Sequence, residues 1–163
     1  MERLKTFKTL LNEDDFAVIK SHVKKRHIGI LSASREKYSP EENSKRYENL
    51  GNDLKGAGLK PIPVTGRYIH NFGTPEAHPT DEDSYFVHGD ENLLGHPKKF
   101  GQKYDQDSVL HKAPGENAML HGTNHTSDYP GYGKSDDVGA FHPNEKGEFH
   151  SVTRNGKAFT FRH

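Results

Sequence analysis

Several side chains in this sequence have types and neighbours suited to holding a small polar ligand. Ser32 and Ser34 flank Ala33 just before Arg35, at the end of the apolar run HIGILSAS (27–34). Hydroxyls and a guanidinium between a buried strand and a helix start sit where α/β layers form ligand crevices and where free helix amides favour anions. Arg67 follows Gly66, and a glycine within a strand lets a ligand or a backbone approach closely. In FGQKYDQDSVLHK (100–112), Gln102 has Gly101 before it and a strand after it, and its amide offers both a donor and an acceptor. Ser108 and His111 follow on the next strand. In this reading Arg35 and Arg67 grip an anion with their planar forks. One glutamine orients it, and His111 is the catalytic acid or base near neutral pH. The competing reading is that these groups only satisfy loop amides and cap elements.

Other motifs are less complete. PGYGKS (130–135) ends like a phosphate-binding loop, but that motif needs a glycine where Asp128 stands, a strand before it and a helix after it. It reads as a flexible turn. His121 and His125 have the four-residue spacing of stacked helix ligands, yet Gly122, Thr123 and Asn124 disfavour a helix. With His111, His142 and Asp128 they could converge on a metal from loops. No metal is assigned, and His121 and His125 are the ligands to test. Ser32, Ser34, Ser84 and Ser108 lack a G-x-S-x-G elbow. Thr80-Asp81-Glu82-Asp83 reads as a solvated turn before a strand, and no cofactor motif is legible.

The bulk properties set limits on partners. The chain has 163 residues, a formal charge of +0, twelve histidines and no cysteine. Leu, Ile, Val and Phe total 32, which predicts a thin core with long polar loops in a single domain over 1–163. Balanced charge argues against strong binding to duplex nucleic acid. Without cysteine there is no disulfide framework or thiol nucleophile. No apolar run is long enough for a signal peptide or a membrane span, so a cytoplasmic protein without a membrane partner is expected.

The elements that must position these residues follow from local chemistry. A first helix carries Phe16, Ile19 and Val23 on one stripe, with Asn12 as cap, Glu13, Asp14 and Asp15 at its positive end and Lys24, Lys25 and Arg26 at its negative end. Ser39-Pro40-Glu41-Glu42 starts a second helix whose buried face is Tyr47, Leu50, Leu54 and Ala57, and Gly56 and Gly58 end it. PIPVTGRYIH (61–70) predicts an edge strand or one with an irregular start. SYFVH (84–88) predicts a strand followed by a helix from Asp90 that Pro97 kinks or splits. SVLHK and NAMLHGT are short strands, and about 113–147 reads as a long irregular loop. Asn155-Gly156 predicts a two-residue hairpin turn that sets Val152 opposite Phe159 and His150 opposite Phe161. The fold class that follows is α+β: a two-layer domain with a mixed or antiparallel sheet, two to three helices and a C-terminal β-hairpin.

Over roughly 28–112 the order ILSAS, Asn43, Lys45-Arg46, Leu50, Leu54, GRY, SYFV and FGQ…SVL resembles an uncharacterised domain-of-unknown-function family of small phage and bacterial proteins. The resemblance offers Gln106, in DQDSVL, as the matching glutamine in place of Gln102, so the two compete for one role. It also implies a viral accessory role, acting in the host cytoplasm, and no set reaction. Two functions follow. One is a phage-type accessory protein that binds, and can process, a phosphorylated or nucleotide-like small molecule, its partner being a small anionic ligand. The other is a non-catalytic interaction protein, a host-protein inhibitor or virion component, using Tyr129, Tyr132 and Phe141 on its long loop against a host protein.

Overall fold

The structure is a computed structural model that describes residues 15–71, 73–125 and 129–163. Asn12, Glu13 and Asp14 of the proposed helix start, and Asp128, lie outside the described residues. Among the described residues the order is α1 (15–25), β1 (His27–Ser32), α2 (Pro40–Gly56), β2 (Ile62–His70), β3 (His78–Gly89), α3 (Gly95–Lys103), β4 (Ser108–Lys112), β5 (Ala118–Gly122), β6 (Ser135–Pro143), β7 (His150–Thr153) and β8 (Ala158–Arg162).

The sheet is a closed antiparallel barrel in the order β1-β3-β2-β7-β8-β6-β5-β4, with β4 returning to pair with β1. This corrects the expected two-layer α+β arrangement. Eight strands enclose an interior that side chains can fill, and closure removes the edges that a two-layer sheet would leave. The strand that completes the circle is β6, whose Ser135-Asp136-Asp137 start and Gly139 hide its period within the segment that reads as a loop. It bridges β5 to β8.

Side chains pack on both faces of the wall. Inside, Phe16, Ile19 and Val23 of α1 meet Ile28, Val64, Phe86 and Phe159. The helix stops one end of the barrel: Arg154 of the β7–β8 turn binds Asp15 through two hydrogen bonds, and the buried Lys112 ammonium donates to the Val23 carbonyl. Outside, Leu31, Tyr85, Val87 and Val109 are covered by Leu50 and Leu54 of α2 and Phe100 of α3. β1, β3 and β4 are thus buried on both faces, which explains apolar runs such as IGIL and SYFV. Each Leu or Phe so buried contributes about 1.5–3 kcal/mol. At Gly51 any Cβ would come within 2.5 Å of the Tyr85 hydroxyl, so α2 docks closely only with glycine there.

Local expectations have mixed outcomes. Ser39 caps α2 by accepting from the Glu42 amide, with Pro40 as the first helical residue. The helix expected from Asp90 begins at Gly95, so Pro97 lies in the first turn, where its missing amide hydrogen needs no partner. Pro63 is tolerated because β7 pairs with β2 only from Val64 onward. β7 and β8 form the C-terminal hairpin, but with a register different from the expected one. Its loop has three residues, closed by Thr153 N–H to the Lys157 carbonyl, and Gly156 alone takes positive φ (85°). A two-residue type I′ turn would need positive φ at Asn155 as well. Ser151 therefore opposes Phe159, and His150 opposes Thr160.

Candidate functional site

The barrel end opposite α1 opens into a cavity. Its depth is apolar, lined by Ile30, Leu110, Leu120, Val138, Phe159 and Phe161, and its rim is polar. Strand alternation builds that rim. Phe86, Ser84 and Glu82 point to one face of β3, so the strand that supplies core near α1 supplies a carboxyl near the mouth. Opposite Glu82 stands Gly66, which leaves room in front of the carboxyl.

Glu82 is the most perturbed group here. Burial pushes its pKa up to about 7, Asp107 and Glu36 add to the rise, and Arg35 opposes it. Its carboxyl accepts no hydrogen bond from the described residues, and the nearest imidazole is His70, 3.8 Å away. Beside it Arg35 pairs with the buried Asp107 at 3.0 Å. Burial works against the Arg35 charge, but the hydrogen bond and charge of Asp107 outweigh it and raise the pKa above the ordinary value. Asn124 also donates to Asp107 at 3.2 Å, which holds the carboxylate in place.

The structure brings six of the candidate residues to this cavity: Ser32, Ser34, Arg35, Arg67, Gln106 and Ser108. Ser32 donates to the Asp83 carbonyl and accepts from the Ser34 amide, so it shapes the rim. Gln106 donates to the carbonyls of Ser34 and Tyr104, tying the start of β4 to the loop after β1. Arg67 borders the cavity, but its guanidinium pairs with Asp81 at 3.1 Å on the other face of the wall. The two arginines therefore do not converge on one anion.

Gln102 lies elsewhere, in a shallow hollow with Asp105, Thr123, Asn124, His125 and Tyr132, where His125 stacks on Tyr132. His111 is on the outer wall and shares a 3.1 Å hydrogen bond with His27. Burial, with His27 and His121 nearby, lowers its pKa to about 4. His121 binds the Ser135 hydroxyl through Nδ1, while His142 meets the Arg162 carbonyl. Among the described residues no three metal-binding side chains are placed to hold an ion.

Glu82, Asp107 and His70 are the site groups the sequence reading passed over. Thr80–Asp83 is not a turn but part of β3. Running the two-residue period of SYFVH backwards would have put Glu82 on the face of Ser84 and Phe86.

The comparisons with known proteins bear on this cavity. A family model described as the S-adenosylmethionine lyase family matches residues 29–162. This chain belongs to that family. The match begins with β1, ends in β8 and so takes in every strand that lines the cavity. It also extends past the 28–112 stretch that carries the resemblance to small phage and bacterial proteins, and it does not speak to a viral source. A search of curated proteins finds no match. The expectation of a nucleotide-like small molecule agrees with the family's name, because S-adenosylmethionine is an adenosine derivative. Among the described residues no helix is long and apolar enough to cross a membrane.

Proposed function

We propose that the open-end cavity binds S-adenosylmethionine and breaks a carbon–sulfur bond of its sulfonium without using water. The observation that carries this reading is Glu82, a largely buried carboxyl with no hydrogen-bond donor among the described residues, set above an apolar barrel interior in a chain of this family. The ligand is an adenosine joined through a cationic sulfur to an amino acid. The apolar depth suits the nucleoside, and the aromatic faces of Tyr68 and Phe149 stand in the wall. Arg35 is the group at the rim that can meet the ligand's carboxylate. Glu82 and Asp107 are the anions that meet its positive charge.

A lyase needs no second substrate, so the bond is broken from within the ligand. The chemistry that fits this cavity is attack by the ligand's own carboxylate oxygen on the γ-carbon that bears sulfur. A C–O bond forms, the C–S bond breaks and its electron pair goes to sulfur. The products are a lactone and neutral methylthioadenosine. Because a carboxylate and a sulfonium both lose charge, a site that excludes water favours the step. Glu82 holds the substrate's cationic part; no proton transfer is asked of it.

Incubating the purified protein with S-adenosylmethionine and following products by mass spectrometry and proton NMR tests the proposal. Methylthioadenosine with homoserine lactone is the expected pair. An unsaturated amino acid in place of the lactone would replace internal attack by elimination. No methylthioadenosine above the uncatalysed background overturns the reading. A second measurement isolates the carboxyl: Glu82→Gln should weaken S-adenosylmethionine about tenfold or more while changing the affinity for neutral methylthioadenosine little. Equal loss for both ligands would remove Glu82 from the role of charge reader.

A further inference from the structure

β2 and β3 run on past their neighbours. β1 pairs with β3 only as far as Ser84, and β7 pairs with β2 only as far as Arg67. The residues beyond, including the pairs Tyr68↔Thr80 and His70↔His78, form a two-stranded arm at the cavity mouth. The loop that joins β1 to α2 reaches this arm through Glu36. His78 Nε2 lies 2.8 Å from the Glu36 carboxylate, and His78 Nδ1 lies 2.9 Å from the Glu76 carbonyl. Both partners are acceptors only, so both ring nitrogens must donate, and only the imidazolium can do that. In this arrangement His78 is a cation at the mouth.

A second imidazole extends the contact inward. His70 stacks on His78 with ring centroids 5.2 Å apart, and its Nε2 meets the Thr80 hydroxyl at 2.9 Å. That nitrogen lies 3.9 Å from Glu36 and 3.8 Å from Glu82. The edge of Tyr68 packs on the same ring. The other charged groups of the loop are engaged elsewhere: Arg35 with Asp107, and Lys37 with Asp105. On the opposite face of the arm, Arg67 and Asp81 pair with each other. Glu36 is thus the carboxylate that ties the loop to the arm.

We infer that Glu36 and His78 form a charged latch that holds the β2–β3 arm over the cavity, making them positioning residues for ligand capture. This rests on the cavity being the site proposed above, but the latch itself is a property of the protein without ligand. When His78 loses its proton, either Glu36 or the Glu76 carbonyl loses a donor. The latch is accordingly made at lower pH and released as pH rises through the titration of His78. Neither residue touches the reacting atoms, so loosening the latch raises KM and leaves kcat alone.

Hydrogen exchange read by mass spectrometry on the ligand-free protein tests the latch directly. Exposed ion pairs hold elements together by up to about fivefold in an opening equilibrium. Glu36→Gln and His78→Gln should each speed exchange of the arm, residues 68–71 and 73–83, by about two- to fivefold, with the strands near α1 unchanged. The wild-type arm, corrected for the intrinsic pH dependence of exchange, should be looser at a pH well above the ordinary histidine value of about 6.5 than at one well below it. His78→Lys keeps a cation at both pH values and should abolish that pH effect. Unchanged arm exchange in both glutamine variants overturns the latch. If S-adenosylmethionine is cleaved, KM should rise by the same factor in both variants, and a fall in kcat at constant KM would overturn the positioning role. If it is not cleaved, the proposed reaction fails while the exchange data still decide the latch.

Discussion

The two ends of this barrel are built by the same strands and do opposite things. Near α1 the inward positions are Ile28, Val64, Phe86 and Phe159, and Phe16, Ile19 and Val23 close over them. A few residues further along, β1 and β3 turn Ser32, Ser84 and Glu82 towards the cavity. Each end also holds an arginine–aspartate pair. Arg154 and Asp15 pin the helix that closes one end, and Arg35 and Asp107 stand in the rim of the other. The closed end contains a buried cation as well, Lys112, whose ammonium is met by the carbonyls of Val23 and Ala113. Glu82 has no such hydrogen bonds from the described residues. Partners complete the charges that serve structure, whereas the carboxyl that faces the cavity has only His70, 3.8 Å away, within ion-pair distance among the described residues, and in the proposed reading it meets a ligand.

Substitutions at the two ends should separate stability from binding. The largest effect is expected at Phe159, which is fully buried between α1 and the barrel floor. Phe159→Ala should lower unfolding stability by about 3–5 kcal/mol in a denaturant titration. A loss below 1 kcal/mol would mean that the closed end is not a packed core.

Glu82 should give the next largest effect, and with a pH signature. Its pKa rises from 4.5 to about 7 on folding, so the native state keeps a proton that the unfolded chain gives up. Stability therefore falls as pH rises from 4.5 to 7, by roughly 3 kcal/mol in the limit set by the shift. Glu82→Gln cannot titrate and should flatten that slope. Wild-type and variant unfolding curves that stay parallel from pH 4.5 to 7 would show that the carboxyl is not held neutral. A cationic ligand reverses the sign, since it favours the ionised form, so S-adenosylmethionine should bind more tightly as pH rises through about 7.

Breaking the Arg35 pair comes third. Asp107 is 6% exposed at its side chain, and removing the guanidinium takes away its 3.0 Å ion pair while Asn124 still donates to it. Arg35→Gln should cost about 2 kcal/mol, the range for a lost hydrogen bond to a buried charge. Asp107→Asn in the same chain should recover part of it. If the double variant is no more stable than Arg35→Gln alone, the cost lies in packing and not in the lost charge pair.

What the sequence made legible was whatever local chemistry decides. The Ser39-Pro40 start of α2 depends on groups within four residues, and the apolar stripe of Phe16, Ile19 and Val23 needs only helical spacing. Barrel closure depends on β6, whose partners lie far along the chain and whose polar start has no readable period. The grouping of Ser32, Ser34, Arg35, Gln106 and Ser108 was readable because strand ends collect polar residues. Arg67 shows the limit of that rule: it lines the cavity, but its guanidinium pairs with Asp81 and does not join Arg35. Glu82 was missed because its acidic neighbours, Asp81 and Asp83, face the other way and make the segment look like a solvated turn.

The smallest effect should come from the pair at the closed end. Arg154 is half exposed, and Asp15 is nearly buried beneath it, with hydrogen bonds of 2.8 and 3.0 Å. Exposure screens the attraction, so Arg154→Gln should cost about 0.5–1 kcal/mol. The location of the damage is more telling than its size. Hydrogen exchange should quicken in α1 and the β7–β8 turn while the cavity rim is unchanged. The affinity for S-adenosylmethionine should also stay within about twofold of wild type. If ligand affinity falls as much in Arg154→Gln as in Arg35→Gln, the two ends are coupled through the strands. The barrel would then not divide into a structural end and a binding end.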